Sequence, residues 1–139
     1  MALILESWQK SIDSLERSIK AYALAVKLSL ESDIIESIQA GVIQNFEIVY
    51  EQSWKMIKRW LSINIGNEYV DGISRKELFR LAAKERLIDD FDAWLDFHRS
   101  RNETSHIYAQ KTANEVFEKA ESFLGYAKAL YGAIELKND

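Results

Sequence analysis

No proline interrupts the 139 residues of this chain, and apolar side chains return along most of it at steps of three and four. Proline breaks helices because it lacks an N–H and its ring clashes with the preceding turn. A proline-free chain with that period is therefore free to build long amphipathic helices. Only five glycines and an apolar share of 47% point the same way. The expected fold is all-α, and the length supports one core, so residues 1–139 are read as a single domain.

Ile4, Trp8, Ile12, Leu15, Ile19, Tyr22 and Val26 form one apolar stripe, which predicts a first helix over residues 3–29. Ser32 is placed to cap a second helix whose stripe passes through Ile35, Ile38, Val42, Phe46, Val49, Met56 and Trp60, ending at Asn64, Gly66 and Asn67. Ser74 followed by Glu77 reads as a capping box opening a shorter helix to about Arg86. Asp89 or Asp90 then caps a fourth helix, and Thr112 with Glu115 forms a capping box for a last one, to about Leu136. Four to five such helices with short joints bury their stripes most economically as an antiparallel up-and-down bundle. Trp8, Trp54, Trp60 and Trp94 are assigned to its core.

With no cysteine, the chain has no disulfide framework and no thiolate metal site. Its first residues lack a basic leader, and no apolar run approaches the about 20 residues a membrane span needs. A cytoplasmic location without membrane contact is the expectation. The formal net charge of −4 argues against a general nucleic-acid binder, because such proteins advertise a basic surface. Any RNA contact has to be local.

The fourth helix carries the unusual chemistry. Phe91, Leu95, His98, Asn102 and His106 share one face, and this stripe begins apolar and turns polar. A buried amide or imidazole left unpaired costs on the order of 1–3 kcal/mol, so these groups either satisfy one another or line a cleft. Arg101 supplies a permanently charged planar fork suited to phosphate, His106 exchanges protons near neutral pH, and Tyr108 adds a hydroxyl. On an ideal helix Arg101 and His106 point about 140° apart. Either the helix end unwinds near Ser105, or two copies of the chain pool their pairs across a symmetric interface, which is preferred because two imidazoles facing one phosphate supply both base and acid.

By spacing alone, an arginine and a histidine near a helix end are ordinarily surface groups suited to the helix dipole. A metal is not supported, since His98 and His106 are too far apart to share one ion and no carboxylate flanks them on that face. No cofactor is indicated. Glu47, Glu51 and Lys55 stand four apart, which ordinarily describes a solvated row of intrahelical salt bridges.

The run Arg101-Asn102-Glu103-Thr104-Ser105-His106 resembles the signature of the HEPN superfamily, in which Arg-Asn is followed after three residues by His. Extended to Tyr108, it is similar to one branch, the nucleotidyltransferase substrate-binding proteins and HepT-like toxins. That branch also has stretches like Gly41 to Glu47, Tyr50-Glu51, Trp54-Lys55 and Ser74-Arg75, all found here in order. Asn45 departs from the pattern, standing where a basic residue is expected. The resemblance implies a homodimer of helical bundles that forms a complex with a minimal nucleotidyltransferase. It further implies a metal-independent endoribonuclease, the toxin of a toxin–antitoxin pair, with Arg101, Asn102 and His106 catalytic and Glu47, Glu51 and Lys55 as candidates for the cleft wall. Tyr108 would be the acceptor of AMP that silences it. Two alternatives stand beside this: a non-catalytic substrate-binding or acceptor subunit, and a purely structural helical dimer.

Overall fold

A computed structural model describes residues 2–138. The described residues form five α-helices and no strand: α1 (Glu6–Lys27), α2 (Ser32–Asn64), α3 (Arg75–Lys84), α4 (Phe91–Glu103) and α5 (Gln110–Leu136). Single 3₁₀ turns lie at Asn67–Tyr69 and Thr104–His106. The long helices α1, α2 and α5 pack on one another, and the short α3 and α4 close the side of the bundle between α2 and α5.

Each amphipathic stripe meets the others in one continuous core. At its centre Phe123 of α5 is surrounded by Phe46 and Tyr50 of α2 and by Trp94 and Phe97 of α4, with ring centroids 5.0–6.1 Å apart. Edge-to-face rings at such spacings add to the energy of simple burial. Trp8, Trp60 and Trp94 are buried as expected. The Trp8 indole N–H donates to the buried Ser53 hydroxyl at 3.1 Å, so the polar edge of this core tryptophan is satisfied. Trp54 is only half-buried and belongs to the site described below.

Local chemistry moves several boundaries away from the sequence expectation. Residues 3–5 are not helical, because Leu3 is tied to the other end of the chain: its N–H donates to Asn138 Oδ1 at 2.7 Å and its carbonyl accepts from Asn138 Nδ2 at 3.0 Å. Ile4 is consequently exposed, as is Val26 near the far end of the stripe. The α1 terminus closes with Leu30 N–H donating to Ala25 O and Ser29 in the left-handed region at φ 53°. That closure leaves Glu31 alone to turn the chain, so Glu31 is the N-cap of α2 and Ser32 lies inside the helix without capping it. Ser74 does cap α3, accepting from Glu77 N–H at 3.1 Å, but the Glu77 carboxylate pairs with Arg80 rather than completing the box. Asp90 caps α4 through Ala93 N–H.

Candidate functional site

The site grows from the middle of α2, where Glu47, Tyr50, Glu51 and Trp54 follow one another around the face turned toward α3 and α4. Steps of three and four place these four side chains on adjacent turns. Facing them, α4 contributes His98 and Arg101, one turn apart, and α3 contributes Arg75 from its first turn.

Arg101 is held between two carboxylates. Its Nη1 lies 3.3 Å from Glu47 Oε2 and its Nε lies 3.4 Å from Glu51 Oε1. The same Nη1 donates to Thr104 Oγ1 at 2.9 Å, and Thr104 in turn donates to the Arg101 carbonyl at 2.7 Å. Arg101 Nε is buried and its approach to Glu51 is an ion pair rather than an aligned hydrogen bond. The guanidinium is thus oriented from three sides while about a quarter of the side chain stays open to solvent. Lys55 takes no part: it is exposed, with its ammonium 5.7 Å from the Trp54 ring. The expected intrahelical row of Glu47, Glu51 and Lys55 is therefore replaced by an interhelical pair of acids on one arginine.

Beneath this lies a second cluster that the sequence reading did not assemble. Tyr50 is fully buried; its hydroxyl lies 2.7 Å from His98 Nδ1 and accepts from Arg75 Nη1 at 3.1 Å. With the arginine donating to the phenol oxygen, the phenol proton points to His98 Nδ1, so Nδ1 accepts. Arg75 stacks on the half-buried Trp54 with its guanidinium carbon 3.6 Å from the ring centroid, a cation–π contact. The Trp54 indole N–H donates to Glu51 Oε2 at 3.0 Å, and Glu51 passes its other oxygen to Arg101. Burial pushes the Tyr50 phenol up to about 12, only partly opposed by Arg75. Burial, reinforced by the positive charge of Arg75, holds His98 below the usual histidine range. Both groups stay neutral near pH 7, as this hydrogen bond requires.

The remaining signature residues follow a break in α4. The helix stops at Glu103 and tightens into the turn Thr104–His106, so His106 leaves the face it would share with His98 and Asn102. Asn102, His106 and Tyr108 are exposed, Tyr108 at 91%. The winding changes near Ser105, but Arg101 is held by Glu47, Glu51 and Thr104 and makes no hydrogen bond to His106 among the described residues. Asn45 does not join this site: its amide donates to Ser14 O and Ser18 Oγ, pinning α2 to α1. The last helix begins at Gln110, two residues before Thr112, and Ala109 gives it no side-chain cap. Gln110 is fixed there by donating to Gln39 Oε1 at 2.9 Å, a tertiary bond that overrides the local Thr112-Glu115 pattern.

A family model described as nucleotidyltransferase substrate binding protein like matches residues 3–135. The chain belongs to the nucleotidyltransferase substrate-binding protein-like family. A relative from Haemophilus influenzae named as a probable ribonuclease HepT is 32% identical over 127 residues, spanning 90% of this chain and 87% of its own. A solved structure from Haemophilus influenzae, described as the fold of a substrate binding domain of a nucleotidyltransferase, aligns with a TM-score of 0.89 at 30% identity, covering 95% of this chain and 99% of that one. A Thermus thermophilus crystal structure aligns with a TM-score of 0.64 at 24% identity over 84% of this chain and 98% of its own, a likeness of fold alone. In this substrate-binding-like family member, the clamped Arg101 and the turn that follows it are the chemically distinctive surface. No helix of the described residues is long and apolar enough to cross a membrane.

Proposed function

We propose that this chain is the helical partner subunit of a minimal nucleotidyltransferase and is itself a metal-independent endoribonuclease, the toxin of a toxin–antitoxin pair. The observation that carries the reading is Arg101, fixed by Glu47, Glu51 and Thr104 immediately before a turn that offers His106 and Tyr108 to solvent. A preorganised guanidinium with part of its surface open suits the charge that develops on a phosphodiester during cleavage. His106 takes the proton of the RNA 2′-hydroxyl; the 2′-oxygen attacks phosphorus and the bond to the 5′-oxygen breaks. A second imidazole protonates that leaving oxygen, supplied by His106 of another copy in a homodimer. The products are a 2′,3′-cyclic phosphate and a free 5′-hydroxyl. Asn102, exposed beside Arg101, orients the RNA.

Control follows from Tyr108. Its exposed hydroxyl attacks the α-phosphorus of ATP in the transferase, pyrophosphate leaves, and the AMP so attached places negative charge next to Arg101 and blocks the cleft. The two carboxylates already on Arg101, with the net charge of −4, favour one competing reading: a non-catalytic acceptor subunit whose arginine is structural. Growth separates the two. Expression of the chain alone is expected to arrest growth, His106→Ala to abolish the arrest, and co-expression of the transferase to relieve it. A harmless wild-type chain that still binds the transferase supports the acceptor subunit.

A further inference from the structure

A recess of about 360 Å³ opens between α2 and the segment leading from the end of α4 into α5. Ile43 and Ile107 give it apolar walls, and Gln39, Glu47, Thr104 and Gln110 give it polar groups. Two of these, Glu47 and Thr104, are the residues that hold the Arg101 guanidinium, so the recess begins where the arginine's partners end.

Its polar groups are built rather than casual. Gln39 is 6% exposed, and its amide donates to Asn114 Oδ1 at 2.8 Å while its carbonyl accepts from Gln110 Nε2. Gln110 Nε2 also donates to Asn114 at 2.9 Å. These bonds use both amide hydrogens of Gln110 and one of the two on Gln39. The Gln110 carbonyl oxygen has no partner among the described residues, and the carboxylates of Glu36 and Glu47 also line the recess. The groups it offers a ligand are therefore mainly acceptors, the Gln110 carbonyl and the two carboxylates, with one amide hydrogen of Gln39 and the aliphatic surface of Ile43 and Ile107 beside them. Flat apolar faces with hydrogen-bond donors on one edge are the property of an unstacked nucleobase carrying an amino group.

We infer that this recess is a base subsite that takes adenine or cytosine through its exocyclic amino group, with the adjoining phosphate directed to Arg101. Uracil presents carbonyl oxygens where those bases present the amine, and acceptors would then face acceptors. This rests on the reading of Arg101 as the phosphate-binding group and adds to it the choice of nucleotide.

The test uses the full chain carrying His106→Ala, titrated with AMP, CMP and UMP while the side-chain amide resonances of Gln39, Gln110 and Asn114 are followed by NMR. AMP or CMP is expected to shift all three, with UMP roughly tenfold weaker. Ala40→Phe, at an exposed position on the rim, is expected to remove those shifts. Absent shifts, equal response to UMP, or shifts that persist in Ala40→Phe overturn the subsite. Chelator-resistant RNA cleavage by the wild type is scored separately. Nucleotide-dependent shifts without cleavage retain the subsite and reject the nuclease; cleavage without shifts does the reverse.

Discussion

The buried Tyr50–His98 contact sets how this protein responds to pH. Tyr50 is held up to about 12, so between the ordinary phenol value near 10 and that value the folded state keeps a proton that the unfolded state has lost. Stability contributed by neutral Tyr50 is complete below about pH 10 and is lost as pH rises toward 12, on the order of 2–3 kcal/mol in all. His98 is shifted downward, so the unfolded state binds the proton first as pH falls. Its contribution is complete above the ordinary histidine value near 6.5 and declines below it. Denaturant titrations across pH should show both limbs, with Tyr50→Phe flattening the alkaline one and His98→Gln the acidic one; unchanged limbs would remove the pair from the explanation. At Arg101 the two acids act on charge. Glu47→Gln in a His106→Ala background should tighten RNA binding roughly three- to tenfold and steepen its salt dependence, since a carboxylate no longer competes with phosphate. Anisotropy at two salt concentrations reads this, and weakened binding would contradict it.

The elements were legible from apolar period because three- and four-residue steps leave little choice in a chain without proline. Their ends were legible only where the signal is local. Ser74 and Asp90 cap as their spacing predicts, whereas Ser32 and Thr112 do not, because the α1 closure and the Gln110–Gln39 bond fix those junctions from elsewhere in the fold. The α3 terminus shows a cost the sequence does not announce. Arg86 stands at φ 63° with its N–H bonded to Ala83 O and Leu87 N–H bonded to Ala82 O, a closure normally given to glycine. A side chain there costs roughly 1–2 kcal/mol, part of it regained through a less flexible unfolded chain. Arg86→Gly is therefore expected to raise stability by up to about 1 kcal/mol, read as a higher denaturant midpoint at unchanged slope. A lower midpoint would show that Arg86 makes a compensating contact.

At the scale of the molecule, the core ties the site to the fold. Trp94 packs on Phe79, Phe97 and Phe123 and is 1% exposed, so Trp94→Ala should cost about 3–5 kcal/mol and disturb α4 together with Arg101. Arg101, His106 and Tyr108 were readable as a signature because they lie within eight residues. The resemblance offered Glu47 and Glu51 as cleft wall, but which side chain pairs with which was not legible, because Glu47, Tyr50 and Trp54 reach α4 and Arg75 only after helices far apart in sequence have packed. The polar stripe on α4 announced that His98 needs a partner, and nothing local could say that it is Tyr50. The central claim is that Arg101 and His106 cleave RNA without a metal. Its most direct measurement is the cleavage of single-stranded RNA by the purified chain in excess chelator, with His106→Ala and Arg101→Ala compared at matched circular dichroism. The expected result is cleavage leaving 2′,3′-cyclic phosphate ends, lost by at least about a hundredfold in His106→Ala. Intact RNA with the wild type, or equal cleavage by His106→Ala, would contradict it.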